Sequence, residues 1–264
     1  MESLRFTIQP TGVAKVVLNR PDKRNAFNGE MIARLREIAE VINKNQEIRV
    51  VNLTGEGGFF CAGADLEWMR KQTTNSLEEK SREAMELARM LKAWYDIGVP
   101  VLTGVQGGAF GGGLGLVVLS DEVIGARDTW FSFSEVRLGL IPATISPYVH
   151  RVLGNKAGGK LLLSGRIFSV EEAQFAGLVD EIVSLDTLES ALVQKTTGYL
   201  EGSPDAIRST KRLLRGYGEP ITDEKIRKTV QALTRIWEGE EAKEGINSFF
   251  LRTKPSWSSN ADDI

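Results

Sequence analysis

Residues 107–116 read GGAFGGGLGL, six glycines in ten positions with no charge among them. Glycine inside a regular element costs roughly 0.5–1 kcal/mol relative to alanine, because it gives up more backbone freedom on folding. A chain that concentrates glycine this way uses the absence of side chains for something. Three readings fit. The glycines let a helix pack tightly on its neighbours, or the run is a dinucleotide or phosphate loop, or its backbone N–H groups form an anion hole. The second fails on spacing. The fingerprint G-x-G-x-x-G places its last glycine on Leu116 when counted from Gly111, and on Val118 when counted from Gly113. A P-loop-like match at Gly154, Gly159 and Lys160 carries Leu161 where a Ser or Thr would hold Mg²⁺.

The flanks favour the third reading. VPVLTGVQG reads as a buried strand directly before the run, and an apolar helix follows it. Free N–H groups at a helix start point outward and favour negative charge. A second loop, FFCAGADLEWM, has the same design, with Ala62, Gly63 and Ala64 ahead of a short helix. Two such loops can each supply one N–H to the same oxygen. That arrangement stabilises an enolate or a tetrahedral oxyanion, typically by a few kcal/mol per donor.

The rest of the chain alternates strand and helix. RFTIQPTGVAKVVLNR reads as two strands around the Thr11–Gly12 turn. Met31, Ile32, Leu35, Ile38, Ala39 and Ile42 recur at helical spacing, and IRVVNLTG reads as a buried strand. Ala84, Leu87, Ala88, Leu91 and Trp94 mark one face of a long helix ended by Gly98 and Pro100. EVIGA, WFSFSE and LVDEIV read as short strands, and everything from Pro204 onward reads as helix. The basic stretch RSTKRLLR reads as an amphipathic surface helix. The class is α/β with a helical C-terminal extension, divided as a core over 1–203 and a helical region over 204–264.

Composition bounds the function. The net charge is −2, so no global positive field draws nucleic acid or an anionic membrane. No apolar run approaches the roughly 20 residues of a membrane span, and MESLRFTIQP has no apolar core of a secretory signal. One cysteine and one histidine leave no internal disulfide, no Cys-based zinc cluster and no multi-His metal site. A cytoplasmic or organelle-matrix location is the expectation. Cys61 reads as a small buried residue, Asp65 as the cap of the short helix, and Asp121 and Glu122 as structural.

Taken together, NRPDKRNAF, FFCAGADLEWM, GGAFGGGLGLVVLSDEVIGA and FSFSEVRLGLIPA, in that order, resemble the crotonase superfamily, which includes the enoyl-CoA hydratases and isomerases. The resemblance covers nearly the whole chain. It implies a spiral of β-β-α units, with a C-terminal helical region that builds trimers, often stacked as hexamers. It implies an acyl-CoA thioester as ligand, with coenzyme A part of the substrate and no further cofactor. The oxyanion amides map to Ala64 and Gly112. The CoA-contacting loop maps to Arg24, Asn25 and Ala26, and residues Ala62, Gly63, Asp65, Leu66 and Gly111 line the acyl-CoA channel. Lys23 and Arg24 are placed to neutralise CoA phosphates.

One departure stands out. Family hydratases carry a glutamate in G-G-G-x-E-L, where this chain has Gly115, and a second that maps to Glu135. Hydration needs water activated at C3 and a proton delivered to C2. One carboxylate can do both in turn, or it can shuttle a proton between C2 and C4, which is isomerisation. Gly115 leaves room for a bulkier substrate, a water or a side chain from elsewhere. The run LGLIPATISPYV is most similar to the single-glutamate methylglutaconyl-CoA and isohexenylglutaconyl-CoA hydratases, whose substrates carry a second carboxylate. Arg70, Lys71 and His150 are the candidate partners for that group. The rival of another class is an acyl-CoA-binding or assembly subunit without turnover.

Overall fold

The structure is a computed structural model that describes residues 2–258. Its strands are β1 (Leu4–Ile8), β2 (Val13–Leu18), β3 (Val50–Gly55), β4 (Val101–Val105), β5 (Gly108–Phe110), β6 (Glu122–Ala126), β7 (Trp130–Ser132), β8 (Phe168–Ser169) and β9 (Glu181–Val183). Its helices are α1 (Gly29–Lys44), α2 (Leu66–Thr74), α3 (Leu77–Tyr95), α4 (Gly112–Val118), α5 (Ser146–Leu153), α6 (Gly159–Ser164), α7 (Val170–Phe175), α8 (Leu188–Leu200), α9 (Pro204–Gly216), α10 (Asp223–Trp237) and α11 (Glu240–Leu251).

Two sheets form. The larger runs β1-β2-β3-β4-β6-β9, and the smaller runs β5-β7-β8. The β1–β2 pair is antiparallel, while β2 to β9 lie parallel. Parallel strands are covered on both faces, and every residue of β4 is buried. Successive strands alternate between the sheets: β4 then β5 then α4, and β6 then β7 then α5. Before them, β3 leads to a parallel bridge between Cys61 and Ala109, and then to α2. Each turn of the chain is thus a β-β-α unit, and the units stack as a spiral.

Local chemistry sets the element ends. The Asn28 side chain accepts the Met31 amide at 2.9 Å and starts α1. Ser76 and Glu79 close a capping box at the start of α3. The apolar stripe of α1 is buried as its spacing predicts. On α3, Leu87 is only half-buried because it faces a cavity.

Three expectations change. The glycine run is not one loop: Gly108–Phe110 pairs in parallel with Trp130–Ser132. A Cβ at Gly108 would lie 2.5 Å from the Phe59 ring and 2.9 Å from the Trp130 carbonyl, so only a bare backbone fits. Next, WFSFSE is a strand only to Ser132; residues Ser134–Leu138 wind into a 3₁₀ turn. Gly139 ends that turn at φ 67°, and the Leu140 amide returns to the Glu135 carbonyl at 3.0 Å. Finally, α9 packs with its basic face inward. Lys211 Nζ donates to the Val99 carbonyl at 2.6 Å and pairs with Asp121, and Arg208 donates to the Ile48 carbonyl at 2.6 Å. Leu213 and Leu214 face outward. Strand-end carbonyls and the Asp121 carboxylate need donors there, and that need outweighs leucine burial. Burial lowers the Lys211 pKa to about 8 against the pull of Asp121.

The C-terminal helices bear on the site. α10 packs along α3, and α11 lies on the 3₁₀ turn. A Cβ at Gly245 would sit 2.5 Å from the Leu138 carbonyl, and one at Gly139 would collide with the Glu241 carbonyl. The contact is backbone on backbone. Gly245→Ala is therefore expected to destabilise the protein by about 1–3 kcal/mol. Gly198→Ala, in the exposed interior of α8 with nothing near its Cβ, is expected to stabilise by about 0.5–1 kcal/mol. Thermal unfolding of the two variants checks the opposite signs.

Candidate active site

The two oxyanion loops meet through glycine. Gly63 has φ 90°, and a Cβ there would lie 2.9 Å from the Phe110 carbonyl. Gly111 has φ 48° and ψ −123°, a combination closed to other residues. That twist sends the Gly111 amide to the Ser132 carbonyl at 3.0 Å. On the other loop, Phe27 N–H donates to Gly63 at 2.7 Å, and Asp65 N–H donates to Phe27 at 2.8 Å. A residue between two such bonds turns its own N–H the other way, so Ala64 points away from Phe27. Among the described residues, neither the Ala64 nor the Gly112 amide donates to a protein acceptor. Both residues line one cavity of about 460 Å³.

Glu135 lines the same cavity. Its Oε1 lies 3.3 Å from where a Gly111 Cβ would stand, so the missing side chain leaves room for the carboxyl. Its Oε2 is buried without a hydrogen-bond partner among the described residues. Burial pushes its pKa from 4.5 up to about 7, and its own backbone amide opposes this weakly. An acid that titrates near neutrality can both take and return a proton. Most of the remaining wall is apolar, with Phe27, Leu66, Trp68, Leu87, Ile141 and Trp237 among the lining side chains.

Gly115 does not line the cavity. A Cβ there would lie 2.8 Å from Ile145 Cγ2 and 3.3 Å from Leu91 Cδ2. Of the occupants that a glycine leaves room for, the one present is a side chain from elsewhere. Ile145 of the PATISP run packs against Gly115, so the place of the missing acid is filled from that run.

The remaining sequence-singled residues divide. Ala62, Gly63, Leu66 and Gly111 line the cavity; Arg24, Asn25, Ala26 and Asp65 do not. The Asn25 side chain is committed to the loop itself. Its Oδ1 accepts the Arg20 amide at 2.8 Å, and its Nδ2 donates to the carbonyls of Glu56 at 3.0 Å and Phe59 at 2.7 Å. The Arg24 carbonyl accepts the Ala62 amide at 2.9 Å, so this loop braces the first oxyanion loop. Asp65 caps α2 through the amides of Glu67 and Trp68 and pairs with Arg20 at 2.9 Å. Burial pushes its pKa up, but Arg20 and the helix amides prevail and hold it low. Lys23 and Arg24 are exposed beside the loop, with the Arg24 guanidinium 5.8 Å over the Phe59 ring.

The candidate cations for a second carboxylate lie elsewhere. Arg70 stacks 4.5 Å over Phe250, and Lys71 is off the cavity wall. His150 lines a separate groove with Arg151 and Lys225. Among the described lining residues the one cation is Arg137, two positions after Glu135 on the 3₁₀ turn. Trp237, at the end of α10, also lines the wall, and its Nε1 is buried without a partner among the described residues. Neither stood out in the sequence. Arg137 sits in the quoted motif, but its facing depends on a 3₁₀ turn where a strand was expected. Cys61 is off the wall; burial pushes its thiol up to about 12, and Sγ donates to the Asn25 carbonyl at 3.0 Å. No group of three metal-ligating side chains assembles among the described residues, and no described helix is long and apolar enough to cross a membrane.

Two free amides and one buried carboxylate share a single, largely apolar cavity, an arrangement suited to stabilising an oxyanion. The enoyl-CoA hydratase/isomerase family model matches residues 9–260, and the chain belongs to this family, within the crotonase superfamily. It is 31% identical to the 2,3-dehydroadipyl-CoA hydratase of Escherichia coli, over 93% of this chain and 94% of that protein. It is 30% identical to the mevalonyl-coenzyme A hydratase of Aspergillus fumigatus, over 92% and 90%. An enoyl-CoA hydratase structure from Shewanella pealeana superposes with a TM-score of 0.79 at 37% identity, covering 97% of this chain and 96% of that one.

The Gly115–Ile145 packing predicts the result of restoring the family acid. Gly115→Glu is expected to overpack α4 and bury an unpaired carboxylate, with a loss of about 3 kcal/mol or more. Ile145→Gly in the same background is expected to recover part of it. Denaturant unfolding of the single and double variants measures the coupling.

Proposed function

We infer that this protein is an enoyl-CoA hydratase acting on a branched or glutaconyl-type enoyl thioester. The observation that carries the reading is the presence of two unpartnered amides and the buried Glu135 on one cavity. The thioester oxygen takes both amides. Ionised Glu135 takes a proton from water, and the oxygen of that water bonds to C3. The C2=C3 π electrons move to the thioester oxygen, giving an enolate that Ala64 and Gly112 stabilise. Protonated Glu135 then returns its proton to C2. The water supplies both the hydroxyl and the hydrogen added across the bond, so one carboxylate suffices.

The acyl preference draws on two groups of the wall. Arg137 offers a positive charge, and Trp237 an unpaired indole N–H, to a carboxylate or other acceptor on the acyl chain. They replace Arg70, Lys71 and His150 in this reading. The trimer or dimer of trimers implied by the family pattern is supported by the outward-facing Leu163, Phe175 and Leu251.

Purified protein is expected to bleach the conjugated enoyl-thioester absorbance, faster with 3-methylglutaconyl-CoA than with crotonyl-CoA. Glu135→Gln is expected to lower the rate about 10²–10⁴-fold. Full activity in that variant, or movement of the double bond without water addition, sinks the hydratase mechanism; the second result makes the protein an isomerase.

The pH profile follows from the raised Glu135 acid. Wild-type kcat/KM for hydration is expected to fall about tenfold per pH unit below about 7 and to level above it, since the carboxylate form begins the cycle. Stability runs the other way. The fold favours the neutral carboxyl, so that contribution is complete below about pH 4.5 and is lost as pH rises through about 7. Relative to Glu135→Gln, the wild type is expected to lose stability across that window, as thermal unfolding against pH would show.

A further inference from the structure

A hydratase with one carboxylate has an unmet requirement. Glu135 can take the proton of a water, but something else must fix the oxygen toward C3. The place where the two-glutamate pattern keeps its second acid is packed by Ile145 and Leu91 around Gly115. Nothing polar reaches the substrate from there.

The residue before Ile145 faces the other way. Thr144 lines the cavity with Glu135, Ala64 and Gly112, while Ile145 does not. Thr144 is 6% exposed, and its hydroxyl makes no hydrogen bond to the protein among the described residues. Two polar groups beside it are already used. The Ala143 amide donates to the Ile141 carbonyl at 2.8 Å, and the Ser146 hydroxyl donates to the Ala143 carbonyl at 3.0 Å. An unpaired hydroxyl on a cavity wall finds its partner in ordered water or in ligand. Packing one side chain of the pair against α4 is what turns the next one into the cavity.

We propose that the Thr144 hydroxyl holds the attacking water, opposite Glu135, and so takes over the positioning work of the absent second acid. This rests on the hydratase reading. Thr144 exchanges no proton in the cycle. It accepts the O–H of water that survives in the product alcohol, while Glu135 takes the other hydrogen and later delivers it to C2. With both O–H groups engaged, a lone pair of the oxygen points at C3.

Three variants and two readouts test this. Thr144→Val keeps the shape and removes the hydroxyl; Thr144→Ser keeps the hydroxyl. The first readout is hydration of whichever enoyl-CoA the wild type turns over best. The second is solvent-deuterium exchange at C2 of the matching saturated acyl-CoA, which needs Glu135 and the two amides but no water at C3. Thr144→Val is expected to lower hydration kcat about 10–100-fold with KM within about twofold, the loss expected for one hydrogen bond to a group gaining charge. Its C2 exchange is expected to stay at the wild-type rate. Thr144→Ser is expected to recover most of the hydration rate, and Glu135→Gln to lose both reactions. Thr144→Val hydrating at the wild-type rate, or losing exchange and hydration together, overturns the Thr144 role and leaves the hydratase reading standing. A wild type that moves the double bond without adding water overturns both.

Discussion

The structure depends on backbone approaching backbone where a side chain would intervene. Gly63 lies against the Phe110 carbonyl, and Gly113 lies where a Cβ would stand 3.1 Å from the Cys61 carbonyl. Gly245 lies against the Leu138 carbonyl. The first two contacts bring the loops bearing Ala64 and Gly112 onto one cavity. The third presses α11 onto the turn that carries Glu135. At roughly 0.5–1 kcal/mol per glycine, these contacts together cost a few kcal/mol of backbone entropy. That is comparable to what a single well-placed oxyanion donor contributes to a transition state. The fold gives up a little stability to fix amides that need no reorganisation when negative charge forms.

Burial of Glu135 follows from the same packing. The 3₁₀ turn is covered by α11, and the cavity beside it is walled by apolar side chains from α2, α3, α10 and α11. A carboxyl in such a place resists ionisation, which brings its titration near neutral pH. Placement and acidity therefore share one cause. The C-terminal helices contribute Leu233, Trp237, Ile246 and Phe249 to the wall, so the site is completed by residues more than a hundred positions beyond its first loop.

Much of this was legible in the sequence, and the boundary is physical. Periodicity located α1 and α3, because an amphipathic stripe is a local property. The glycine loops were legible because the positions that need bare backbone are themselves the motif. Gly111 and Gly63 are where the chain does what other residues cannot. Arg137 and Trp237 were not legible, because which way they face is decided by the turn at Ser134–Leu138 and by the docking of α10. The inward basic face of α9 was missed for a similar reason. RSTKRLLR has an apolar side and a basic side, and a local reading sends the basic one to water. The carbonyls of Ile48 and Val99, distant in sequence, reverse that choice.

Gly115 shows how an apparent loss is tied to a second change. Considered alone, a glycine in place of a glutamate is a deletion of function. Beside Ile145 it is a packing position, because a glutamate there would leave α4 and the PATISP run mismatched in volume. Protein interiors tolerate changes in shape mainly when the volume is conserved. A chain that fills this space with a β-branched side chain thus cannot regain the acid by one substitution. In the proposed hydratase reading the acid–base burden falls on Glu135, and further polar help comes from the residue beside Ile145 that lines the cavity.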